Sequence, residues 1–237
     1  MDNKLIKNLS EFVEYVEHRT PGKSIGLFRG QAVCRNLLPS IARMKPTKDT
    51  TDLEKRMLAE LKRSGTLFLQ DTKTSDWELL VIAQHYGLST RLLDWTSNPL
   101  AALWFACSKE DEKDAYVYAL DTGGMRLPGR GRKSPFEQPK TRVFRPRLNN
   151  ARIVAQHGWF TVHRFSVKSS RFVALENNLE LNSKLFEMVI PGAVKSQILW
   201  SLDRHGVNHT SLFPDLEGLC RHISWKAHRQ ETDFEID

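Results

Sequence analysis

Residues 98–110, NPLAALWFACSKE, begin with a run that is apolar on nearly every face once wound into a helix. Such a helix cannot rest on a surface with one side in water. It has to be enclosed, so the rest of the chain must supply layers around it. Pro99 falls in the first turn, where its missing N–H costs no hydrogen bond. Upstream, the 3.6-residue period predicts a helix over 4–19, with Leu5, Leu9, Phe12, Val13 and Val16 on one face. Two more helices are predicted. TDLEKRMLAELKRSG starts at Thr51 or Asp52 and ends at Gly65; SDWELLVIAQHYG is capped by Ser75 or Asp76 and closed by Gly87. SIGLFRG reads as a short strand.

After the apolar helix the period changes to two. DAYVYAL, GWFTVHRFSV and KLFEMVIPG read as strands, the last ended by Pro191. AVKSQILWSLDRHG returns to helix, HTSLF reads as a short strand, and PDLEGLCRHISWKAHRQ as the last helix. Strands and helices do not alternate strictly, which predicts an α+β fold with a mixed central sheet and helices before and after it. Residues 1–237 fit one domain of this kind.

Several classes of protein are excluded or disfavoured. No apolar run approaches the roughly 20 residues that span a bilayer, and MDNKLIKNLSEFVEYVEHR lacks the apolar block of a signal peptide, so a cytoplasmic protein without a membrane role is expected. The three cysteines, Cys34, Cys107 and Cys220, are far apart and odd in number, and read as buried thiols rather than a disulfide framework. Neither a metal-binding motif, a Walker loop nor a dinucleotide GxGxxG fingerprint occurs, so no metal is expected.

Charge points the other way. The formal net charge is +7. Between Arg126 and Arg147, eight Lys/Arg stand against one acid, Glu137, with four prolines and two glycines interspersed. That composition predicts a basic surface loop at about 121–150. Its Arg130, Arg132, Lys133, Lys140, Arg142, Arg145 and Arg147 are suited to phosphates of a nucleic acid, or to plain solvation.

Two polar concentrations interrupt the apolar pattern. In AQHYGLSTRLLDWTSNPLAALWFA, residues 83–106, the groups Gln84, His85, Tyr86, Ser89, Thr90, Arg91, Asp94, Trp95, Thr96 and Asn98 fall within what reads as one helix–turn–helix connection. In ARIVAQHGWFTVHRF, residues 151–165, Gln156, His157 and Gly158 lead into an aromatic strand, on which His157 and His163 alternate with apolar residues. Arg29, between Phe28 and Gly30, is costly to place on a strand running inward. It is there either to pair with an acid such as Asp94 or to hold an anionic ligand.

The combination of LFRGQ, QHYGLSTRLLDWTSNPLAALWFA, AQHGWFTVH and LFPDLEGL resembles the FRG-domain family, over about Ile25 to Ile223. More weakly, Phe28-Arg29-Gly30 followed by Ser89-Thr90 is similar to ADP-ribosyltransferases of the Arg-Ser-Glu type. That resemblance implies an ADP-ribosyltransferase-like fold and transfer of ADP-ribose from NAD to a macromolecular acceptor. The basic character makes RNA the expected acceptor. Arg29, Ser89, Thr90 and a carboxylate would be catalytic. Phe28, Arg29, Gly30, His85, Tyr86, Arg91, Trp95 and Gln156 would contact NAD. The carboxylate is open among Asp94, Glu187 and Glu217, because no Gln-x-Glu or Glu-x-Glu motif leads into a late strand, and an Arg91–Asp94 ion pair is an alternative use of Asp94. The resemblance further implies a bacterial or phage-defence toxin with an antitoxin protein as partner. Two other readings stand beside it. One is a nucleotide- or nucleic-acid-binding module without chemistry. The other is a metal-independent ribonuclease with His85 or His157 as base.

Overall fold

The computed structural model describes residues 3–19, 26–69, 74–109, 112–127, 134–147 and 150–234. It shows an α+β protein built on one curled, mixed sheet. Strand β1 (Asn3–Leu5) precedes helix α1 (Leu9–Arg19), so the predicted helix over 4–19 is corrected at its start. Asn3, Lys4 and Leu5 are recruited as an edge strand, parallel to a strand late in the chain. Strand β2 (Gly26–Gln31) carries the LFRGQ stretch. A short helix α2 (Ser40–Arg43) follows, and then α3 (Thr51–Ser64) and α4 (Asp76–His85). In α4, Ser75 and Glu78 form a reciprocal capping box at the N-terminus. Gly87 takes φ +90 just past its end, a conformation that L side chains rarely adopt.

The next segment departs from expectation. Leu92–Thr96 is strand β3, not part of a plain connection between helices. Leu93 and Trp95 pack into one apolar cluster, Leu92 into another, so the strand is covered on both faces and shows no simple polar alternation. Helix α5 (Pro99–Cys107) is buried as predicted, with Asn98 accepting from the Leu100 and Ala101 N–H groups at its start. Strand β4 (Ala115–Asp121) follows. The basic segment is then less of a loop than expected. Among its described residues it holds a 3-10 turn at Pro135–Glu137 and the edge strand β5 (Arg142–Phe144), whose Val143 and Phe144 are buried.

Helix α6 (Ala151–Ala155), strand β6 (Gly158–Val162), a small hairpin of β7 (Phe165–Ser166) and β8 (Arg171–Phe172), and strand β9 (Leu185–Ile190) come next. Helices α7 (Lys195–Arg204), α8 (His209–Leu212) and α9 (Leu216–Phe234) close the chain. HTSLF is thus largely helical, because Asn208 and Ser211 form a capping box that starts a helix where a strand was expected. Among the described residues no helix is long and apolar enough to cross a membrane. Of the cysteines only Cys107 is buried; Cys34 and Cys220 are exposed, against the expectation of three buried thiols.

The seven strands run in the order β1-β9-β4-β2-β3-β6-β5, antiparallel except for β1 with β9. Helix α5 lies on one face, enclosed by β2 and β4 below and α1, α7 and α8 around it. Gly30 is what lets it approach. A Cβ there would stand 1.9 Å from the Ala102 carbonyl oxygen and 2.6 Å from the Ala106 nitrogen.

The sheet is not continuous across its middle. β2 pairs along its length with β4, from Gly26↔Asp121 to Gln31↔Tyr116, and β3 pairs along its length with β6. Between β2 and β3 the register holds a single pair, Phe28↔Thr96. Beyond it the two strands part, and Arg29, Gly30, Trp95 and Asp94 border the gap.

Candidate functional site

The gap between β2 and β3 opens into a cavity of about 510 Å³, within the range that takes small-molecule and cofactor-sized ligands. Its walls come from β2 and the residues after it, Arg43 of α2, α4, β3, the end of α5, α6 with β6, and Phe213 after α8. Arg29 spans the gap at its root. One of its terminal nitrogens (Nη1) donates to the Asp94 carbonyl at 2.7 Å and to Asp94 Oδ2 at 2.6 Å. A guanidinium here does the work of the missing backbone ladder. With its amide turned to satisfy both neighbours, Gln31 accepts from Arg29 Nε at 3.3 Å and donates to the Arg35 carbonyl at 3.0 Å.

Asp94 faces the cavity. Its side chain is 61% accessible while that of Arg29 is 12% accessible. Enclosure by the cavity walls opposes ionisation of Asp94. The Arg29 charge and the hydrogen bonds to the carboxylate outweigh that, and hold its pKa below the usual carboxylate value. Gln84 donates to Asp94 Oδ1 at 3.2 Å. Asp94 is the one carboxylate among the described lining residues, against Arg29, Arg35, Arg43, Lys109 and Arg152. Arg152 is already engaged by Asp215 at 2.7 Å and Glu217 at 3.1 Å. Arg29 is paired with Asp94. Burial first, and then the like charge of Arg29, press the Arg43 pKa below its ordinary value; Asp94 opposes the shift and Arg35 adds to it. An anion in the cavity would relieve that repulsion.

His85 also lines the cavity. Burial and the charge of Arg152 lower its pKa, favouring the neutral ring. Asn150 Oδ1 accepts from the Arg152 and Ile153 N–H groups at the start of α6, so its amide nitrogen faces His85 Nε2, at 3.1 Å. The His85 proton therefore sits on Nδ1, and Nε2 is occupied as an acceptor.

The structure brings Phe28, Arg29, Gly30, His85, Asp94, Trp95 and Gln156 to the lining of one cavity. Trp95 is nevertheless largely buried, with its indole N–H on Thr161 at 3.0 Å, and the Gln156 amide is engaged with the Leu212 carbonyl at 3.1 Å. Other expected residues lie elsewhere. Ser89 is exposed outside the cavity, and Thr90 is fully buried behind it. Arg91 pairs with Glu54 at 2.7 Å in the interior, under the Phe136 ring, which replaces the Arg91–Asp94 pair considered from sequence. Tyr86 points out of the cavity. Glu217 is tied to Arg152 and Arg221 on α9, and Glu187 lies on β9 against Tyr118, both off the lining. His157 is exposed and His163 buried, neither lining the cavity. Among the described residues no group of three His, Cys, Asp or Glu is placed to hold a metal ion.

Of the basic segment, Lys140, Arg145 and Arg147 are exposed and Arg142 donates to the Gly124 carbonyl at 3.2 Å, while Arg130, Arg132 and Lys133 lie outside the described residues. Sequence reasoning missed Arg35, Arg43, Lys109 and Arg152. A signal for two of them was present. Residues 24–43 carry Arg29, Arg35 and Arg43 with no acid among them, an imbalance that only an anion or a distant acid can answer.

Residues 24–115 match the family model for the FRG domain, from just before β2 to the first residue of β4. The AQHGWF and LFPDLEGL stretches lie beyond that match. Neither a curated protein nor a solved structure matches the chain. The paired residues at the root of the cavity, Arg29 and Asp94, both fall inside the span that matches the FRG-domain model, residues 24–115.

Proposed function

We propose that the cavity binds NAD and that the protein transfers ADP-ribose from it to a macromolecular acceptor. One observation carries the reading: Arg29, Arg35, Arg43 and Lys109 converge on a cavity whose single carboxylate among the described lining residues is Asp94. NAD has two phosphates for the cations. Its reacting ribose carbon gains positive charge as the bond to nicotinamide breaks, and an ionised carboxylate stabilises that charge. The pair of electrons leaves with neutral nicotinamide, the acceptor atom bonds to the ribose carbon, and the acceptor's proton passes to solvent. Asp94, with its lowered pKa, is suited to the electrostatic role and poorly suited to taking a proton near neutral pH. The expected acceptor atom is consequently one that is nucleophilic without prior deprotonation, such as a nucleobase nitrogen.

Calorimetry with NAD, together with transfer of adenine-labelled NAD to total RNA and total protein, tests this. Asp94→Asn should retain binding and lose transfer by about a hundredfold or more. Absence of NAD binding by the wild-type protein would sink the reading. A second reading, a nucleotide-binding module, is favoured by the close pairing of Asp94 with Arg29; NAD bound but never consumed would select it. A ribonuclease with His85 as base is disfavoured, since His85 Nε2 already accepts from Asn150.

A further inference from the structure

Beside the cavity lies a second hollow of about 200 Å³. Val81, His85 and Ile153 line both, so a wall one side chain thick separates them. Its floor is apolar, from Leu69, Val81, Ile82 and Ile153, and its rim is polar, from Thr74, Glu78, Arg147 and Asn150. Two large aromatic side chains complete it, Phe68 at 86% and Tyr86 at 79% exposure. A single exposed aromatic needs no explanation. Two on the rim of one ring-sized hollow, over an apolar floor and beside hydrogen-bonding groups, have the make-up of a site for a flat, polar-edged ring. Tyr86 is held in place by an edge contact with His85, ring centroids 4.9 Å apart. Charge narrows the ligand. Arg147, 79% exposed, reaches Glu78 at 2.8 Å across the rim and ends the basic segment, in a protein of net charge +7.

We propose that this hollow receives one unstacked nucleobase of a single-stranded nucleic acid and presents it at the wall of the cavity. Glu78 accepts from the base's exocyclic amine, and Arg147 follows the phosphates. The base then lies beside the cavity, one side chain away from the proposed ADP-ribose donor. Binding of the strand does not rest on the reading of the cavity as an NAD site. Stacking on exposed aromatic rings needs a base free of its duplex, so single strands should be selected over double strands.

The test is fluorescence anisotropy with a labelled RNA of about twelve nucleotides, single-stranded and as a duplex, with NAD binding measured in parallel by calorimetry. The variant is Phe68→Ala with Tyr86→Ala, two exposed positions that leave the core untouched. The single strand should bind more tightly than the duplex by about tenfold. The double variant should weaken it roughly 5- to 150-fold with NAD affinity unchanged. Equal binding of strand and duplex, or a double variant that holds the strand like wild type, would overturn the proposal, as would loss of NAD affinity in the double variant. A variant that loses the strand, in a protein that never bound NAD, would overturn the NAD reading and leave the hollow standing.

Discussion

Thr90 does not touch the cavity, yet it fixes the carboxylate that does. Its hydroxyl accepts the Leu92 N–H at 3.1 Å, so its own proton goes to Gln84 Oε1. That decides which end of the Gln84 amide faces Asp94, and Nε2 donates there at 3.2 Å. Thr90→Val keeps the shape and removes the relay. It should cost about 1–3 kcal/mol in denaturant unfolding, because the buried Leu92 N–H loses its partner. It should also raise the Asp94 pKa followed by carboxyl NMR, and Thr90→Ser should restore both. An Asp94 titration unmoved by Thr90→Val would disprove the relay. His163 gives a second prediction at this scale. Burial, then the charges of Arg29 and Arg91, push its pKa down to about 3. The unfolded chain takes up a proton near pH 6.5 that the folded chain refuses, so stability is full above that pH and falls as pH drops toward 3. Between pH 6.5 and 4.5 the loss should be about 2–3 kcal/mol, read from urea midpoints. His163→Gln should abolish this component; an unchanged slope in that variant would refute it.

At the scale of elements, the close seat of α5 on β2 depends on Gly30. Gly30→Ala drives a methyl into the Ala102 carbonyl and Ala106 amide, backbone atoms that cannot rotate away. The helix must lift, at about 3 kcal/mol, seen as a fall of several degrees in Tm; a variant that melts like wild type would show the contact to be loose. The glycine of LFRG is thus explained by packing, and the arginine by the gap it spans. This much was legible in sequence, because α5 is apolar all round and Arg29 is an expensive residue on an inward strand. The helices α3 and α4, with their caps, were legible for the same local reasons. The strand β3 was not: LLDWT is covered on both faces, and its polar residues belong to the gap rather than to a connection. Strand β1 was hidden because three residues become a strand only when β9 is there to pair. The cavity's pairing of Arg29 with Asp94 could be named from sequence. Lys109 and Arg152 could not, since each is an ordinary surface charge until the fold brings it to the same hollow.

For the whole molecule, the family match and the folding unit do not coincide. Residues 24–115 contain Arg29, Asp94 and α5 but stop at the first residue of β4. Within that span β3 lacks β6, its partner from Leu92↔Val162 to Thr96↔Gly158. β2 lacks β4, and α5 loses the β4, β9, α7 and α8 residues that enclose it. The far wall of the cavity, with Arg152, Gln156, Phe160 and Phe213, is missing as well. A fragment of about 90 residues that leaves a fully apolar helix uncovered cannot recover the loss, because its own remaining core offers little to set against the conformational entropy of ordering it. The excised span should therefore show no cooperative thermal transition by circular dichroism and no NAD binding by calorimetry, while the full chain melts cooperatively. A fragment that folds and binds would show that the later strands and helices are an addition to the site. A fragment that does neither would show that the FRG residues are one half of a cavity whose other half comes from beyond the match.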